Sequence, residues 1–205
     1  MENVQNTWSS VTQSIYKAVL IYVWAGIASS IIGAIGSASD AAELVSGDLE
    51  GAVSFGFMDV LGLIASLAVI AGYVLFYIGL NKWREIADAN DAQAINKLRI
   101  AALLTMISSV VVYIPVVGTI TGAILSIVAL ILMLMGYSAL KSSTTLPEGA
   151  RVGAGKLYTA QILSIIAVVV VWIPVLGWIA GPILSIIALV FAIQGWKALA
   201  NSELA

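Results

Sequence analysis

The sequence predicts an all-α integral membrane protein with six transmembrane helices, arranged as three tandem helical hairpins with both termini cytoplasmic. Three observations predict it. Apolar residues make up 61% of the chain and charged residues 10%, for a mean hydropathy of +1.06. The polar residues are too few to cover an interior of that size in water, so lipid is the solvent. Apolar runs long enough to cross about 30 Å of hydrocarbon, at about 1.5 Å per residue, recur along the chain. Finally, one phrase is written twice, VVVYIPVVGTITGAILSI at 110–127 and VVVWIPVLGWIAGPILSI at 169–186.

Three segments follow from these runs. Residues 1–97 hold an N-terminal surface helix, a first hairpin with spans at about 18–38 and 60–80, and a polar cytoplasmic connector. Residues 98–141 form the second hairpin, and residues 142–205 a connector, the third hairpin and the tail. The surface helix is expected from Val4, Trp8, Val11 and Ile15, which stand at helical spacing among Asn, Gln, Ser and Thr. The opening MENVQNTWSS lacks the basic n-region of a secretory signal, so the first apolar run is expected to stay in the membrane.

In the first span Ala25, Ser29 and Gly33 recur every four residues, a spacing that suits close helix packing. An acidic loop follows at 39–57, with Asp40, Glu43, Asp48 and Glu50 but no base and no calcium-loop spacing. Asp59 is the one acid inside the apolar run from Phe55 to Leu80. At a helix start it is favoured by the dipole; as an intramembrane acid it is also a possible polar site. The polar stretch NKWREIADANDAQAINK at 81–97 predicts a helix along or out from the membrane. Each later hairpin reverses at a Pro-to-Gly turn, 115–118 and 174–177, and the Pro and Gly of 141–156 are expected to break the helix between them. The GAGK ending that connector is no phosphate loop, because Leu157 stands where Ser or Thr is required.

Residues 97–141 and 156–200 align at an offset of 59 with 23 of 45 positions identical, which is read as an internal duplication. Retained among them are Pro115/Pro174, Gly118/Gly177, Gly122/Gly181 and Ser126/Ser185. The prolines remove a backbone donor at the turn, and the first glycines are expected to permit its reversal. Each glycine pair makes a GxxxG motif that lets two helices approach, and each serine is expected to bond back to its own helix. GLNKW after the first two spans echoes GYSAL and GWKAL after the later ones, as in a diverged third hairpin.

With six spans, all nine Lys and Arg residues fall on the side of the termini and the even connectors. The positive-inside rule then predicts an N-in, C-in protein of a prokaryotic plasma (inner) membrane. Tyr113, Trp172 and Trp178 are expected at the outer interface, and Trp83, Tyr137, Tyr158 and Trp196 at the inner one.

The chain has no His and no Cys, and its net charge is −2. The commonest acid/base and thiolate chemistry is therefore missing, and nothing points to nucleic acid. No cofactor and no enzymatic activity are expected. The expected partners are membrane lipids, other copies of the chain, or other membrane subunits, in a structural or accessory role. The alternative is a small channel or permease for a neutral or weakly polar solute, lined by Ser, Thr and Gln with Asp59 near its mouth.

Overall fold

The computed structural model describes residues 2–46, 57–111, 114, 117–171, 173 and 176–203. Among them every regular element is a helix: α1 (Glu2–Ser46), α2 (Phe57–Ile86), α3 (Ala89–Val111), α4 (Val117–Lys141), α5 (Glu148–Val171) and α6 (Leu176–Ala200). All six are long and apolar enough to cross a membrane. Helices are what such runs must form in lipid, where each backbone polar group needs a partner inside its own segment.

Helix boundaries depart from expectation wherever the sequence turns polar. No separate surface helix precedes the first span. Residues 2–46 are one helix of 45 residues, roughly 65 Å long. Trp8, Val11 and Ile15 are buried in the protein. The helix continues through Ser46, across the first part of the loop expected at 39–57, and residues 47–56 lie outside the described residues. The polar stretch 81–97 is no helix of its own. It divides between the end of α2 and the start of α3, with only residues 87–88 between them. Helix α2 continues because Trp83 is wholly buried, and α3 starts as the Asp88 carbonyl accepts the N–H of Ala92 at 2.7 Å.

The connector after α4 is equally short. Helix α5 begins just after Pro147, whose carbonyl accepts the N–H of Arg151 at 3.0 Å, so Gly149, Gly153 and Gly155 are helical. Proline suits a helix start, where its missing donor has no partner to lose. Gly149 and Gly153 are tolerated inside the helix because neighbouring chain approaches them closely, at Ser202 and at the Gly195 carbonyl.

Contacts divide the chain into two units, Met1–Lys17 with Leu75–Ala205, and Ala18–Val74. Within the smaller, Gly72 lies against the backbone of Tyr22, and the Tyr22 and Tyr73 rings stack with centroids 4.6 Å apart. Within the larger, α3 packs on α4, α4 on α5, and α5 on α6.

One contact recurs three times in the larger unit. A glycine on a returning helix receives a branched side chain from the helix before it: Gly79 faces Ile15, Gly136 faces Leu98, and Gly195 faces Leu157. A methyl group on Gly195 would stand 2.7 Å from Leu157 Cγ and 2.8 Å from the Gly153 carbonyl oxygen. These glycines are therefore there for space, as expected where lipid supplies no hydrophobic drive and helices associate by close packing. One turn on, Trp83, Leu140 and Leu199 are all fully buried.

Candidate functional site

The end of the larger unit that carries the helix connectors holds its most elaborate side-chain arrangement. Trp83, Trp196 and Phe76 are three of the largest fully buried side chains, and Trp8 and Tyr137 are buried beside them. Their rings meet edge to face. Trp196 lies 5.3 Å from Phe76, 6.2 Å from Tyr137 and 6.4 Å from Trp83, and Trp83 lies 6.1 Å from Trp8. Each such pair contributes about 0.5–1.5 kcal/mol beyond the area it buries. Trp83, Tyr137 and Trp196 are thus core residues of the fold. Tyr158 is half-buried, while Trp178 is 86% exposed. Small residues make this packing possible, since Gly79, Gly136 and Gly195 bring the helices close enough for the neighbouring rings to interlock.

The tail closes onto the start of α1. The Trp8 indole N–H donates to the Ser202 carbonyl at 3.0 Å, and the Gln13 side-chain amide donates to the Ala200 carbonyl at 3.2 Å. Asp91, in the first turn of α3, is buried and accepts hydrogen bonds from Ser143 Oγ at 2.9 Å and Thr145 Oγ1 at 2.5 Å. Ser143 Oγ in turn accepts from the N–H groups of Thr145 and Leu146. Asp91 therefore pins the connector after α4 to the start of α3, and its charge suits the helix N-terminus. A small polar cavity of about 170 Å³ adjoins it. Among the described residues no three His, Cys, Asp or Glu come together where they could hold a metal ion.

The residues singled out by sequence have separate placements. Pro115, Pro174 and the side chain of Asp59 lie outside the described residues. Gly118 and Gly177 donate to the Ile114 and Ile173 carbonyls at 3.0 and 2.8 Å, and both are buried. Gly118 has no left-handed backbone; a side chain there would instead collide with the Val111 carbonyl oxygen. Gly122 and Gly181 are buried, and their carbonyls accept serine hydroxyls from different places. Ser185 bonds back to Gly181 on its own helix at 2.9 Å, as expected. Ser126 does not do so. It pairs with Ser108 of α3 at 2.8 Å, and Ser108 reaches the Gly122 carbonyl at 2.8 Å. Fifty-nine residues after Ser108 stands Ala167, which has no hydroxyl to make such a bridge between α5 and α6.

Four further hydroxyls of the spans turn onto their own helices. Ser30, Thr105, Ser109 and Ser164 donate to carbonyls three or four residues earlier, at 2.8–3.0 Å. A groove of about 440 Å³ opens between α3, α4 and α5, lined by Lys97, Leu134, Met135, Ser138, Ser142 and Tyr158 among others. Sequence reasoning used Lys97 only to orient the chain. Asp91 and the groove escaped notice because their parts are joined only by the fold. Comparison with protein-family models, with curated proteins and with solved structures finds no match.

Proposed function

We propose that the chain is a non-enzymatic structural or accessory component of a membrane assembly, packing with copies of itself or with another membrane complex. The observation that carries this reading is the destination of seven hydroxyl groups in the spans. Ser30, Thr105, Ser109, Ser164 and Ser185 bond their own helices, and Ser108 and Ser126 bridge α3 to α4. A solute path needs such groups free to face a wet passage, whereas helix packing needs them satisfied within the protein.

The outer faces of the helices support the same reading. Ile120, Ile124, Ile127 and Ile131 form an exposed stripe on α4. Ile179, Ile183, Ile186 and Val190 form its counterpart on α6, each at the offset of 59. Two matching apolar faces suit repeated lateral contacts in the bilayer. Duplication of 97–141 in 156–200 belongs to this proposal. It is supported by helix starts at Ala89 and Glu148, and at Val117 and Leu176, which share the same offset. So does an N-in, C-in topology, supported by the one-sided distribution of Lys and Arg.

The test is extraction into native nanodiscs without detergent, followed by mass measurement. Discs that hold a second copy or another subunit are expected. A lone monomer in every disc, together with membrane complexes unaltered by deletion of the chain, contradicts the proposal. Proteoliposome flux examines the channel alternative, and leak equal to that of protein-free vesicles is expected.

A further inference from the structure

The groove between α3, α4 and α5 carries an inference that requires membrane insertion but no protein partner. Along α4, Leu134 and Met135 are followed by Ser138, with Ser142 just beyond the helix end; residues so spaced share one face. The lining therefore passes from apolar to hydroxylic over about two helical turns, roughly 11 Å. Lys97 of α3 and Tyr158 of α5 form its walls. The Lys141 ammonium lies 3.8 Å from the centre of the Tyr158 ring, a cation–π contact that holds a second positive charge beside the groove. Among the described residues neither ammonium forms an ion pair. Asp91 adjoins through the shared lining of Ala139 and Ser142, but its carboxylate is engaged by Ser143 and Thr145.

We propose that this groove holds one anionic phospholipid. Its phosphate lies between Lys97 and Lys141, within reach of the Ser138 and Ser142 hydroxyls, and an acyl chain runs along Leu134 and Met135. The Ser142 hydroxyl now donates to the Ser138 carbonyl at 3.2 Å and meets the phosphate by rotation about one bond. Two unpaired cations at the head and an apolar floor below match an amphiphile with net negative charge. A zwitterionic lipid fits less well, because its own ammonium adds a third positive charge.

The experiment is native mass spectrometry of the full chain in detergent, titrated with dioleoyl phosphatidylglycerol or dioleoyl phosphatidylcholine. Wild-type protein is expected to keep one phosphatidylglycerol under activation that strips phosphatidylcholine. Lys97→Gln with Lys141→Gln is expected to weaken that retention roughly tenfold or more. Lys82→Gln with Lys197→Gln removes the same charge from other helices and leaves it unchanged. Ser138→Leu fills the groove without altering charge and also abolishes retention, which keeps the test decisive should the lysine pair disturb folding. Equal retention of the two lipids by wild type overturns the proposal, as does equal loss from both double variants. Displacement by millimolar glycerol 3-phosphate also overturns it, because the site then takes free phosphate and not a lipid.

Discussion

Replacing Gly195 by alanine tests the close approach of α5 and α6. The added methyl meets the Gly153 carbonyl oxygen at 2.8 Å, Leu157 Cγ at 2.7 Å and Leu157 Cδ2 at 3.0 Å. Leu157 is only 2% exposed and has nowhere to swing, and a backbone oxygen yields only if the helix moves. Overpacking of this kind costs about 1–3 kcal/mol. Alanine returns up to about 1 kcal/mol through its better helix propensity. The net expectation is a loss of about 1–2 kcal/mol. Gly155→Ala is the matched control on α5, because nothing lies within 4 Å of the methyl position. Only the propensity term acts there, so a gain of up to about 1 kcal/mol is expected. Both are measured by SDS-induced unfolding in mixed micelles, followed by helical circular dichroism and tryptophan fluorescence. Shifts of the same sign and size in the two variants refute the reasoning.

Three further expectations concern the same end of the protein and its spans. Trp8→Ala removes a buried indole and its bond to the Ser202 carbonyl, at an expected cost of about 3–5 kcal/mol in the same unfolding assay. The tail should also become more sensitive to protease, and a loss below about 1 kcal/mol would instead fit a freely lying surface helix. Asp91→Ala removes the shared acceptor of the Ser143 and Thr145 hydroxyls, with an expected loss of about 1–3 kcal/mol and faster hydrogen exchange at Leu146. Ser108→Ala should cost only about 0.6 kcal/mol, since interhelical bonds in membranes are weak and α5 already carries alanine at that position; a cost near that of Trp8→Ala would contradict this.

The spans were legible because each is a continuous apolar run, and their pairing followed from the repeated Pro-to-Gly phrase. Their ends were not. Polar composition at 81–97 and glycine at 149–155 look like chain breaks within a local window, yet Trp83, Gly149 and Gly153 are helical because of contacts made elsewhere. The N-terminal segment misled for the same reason. Its apolar face at Trp8, Val11 and Ile15 was visible, but spacing alone cannot say whether such a face meets lipid or Trp83. Asp91 and Ser143 stand 52 residues apart, and nothing in either segment announces the other. Gly136 and Gly195 were legible as repeats, but their role in admitting Leu98 and Leu157 needed the fold.

Single-cysteine labelling in intact cells addresses the central claim most directly, because the chain has no cysteine of its own. Ile114 and Ile173 mark the Pro-to-Gly turns, and Asn90 and Thr144 mark the basic connectors; all four are exposed. Cysteines at 114 and 173 should react with an impermeant maleimide applied from outside, while those at 90 and 144 should react only after the cells are opened. Labelling of all four from one compartment would mean that the helices do not cross the bilayer as paired hairpins.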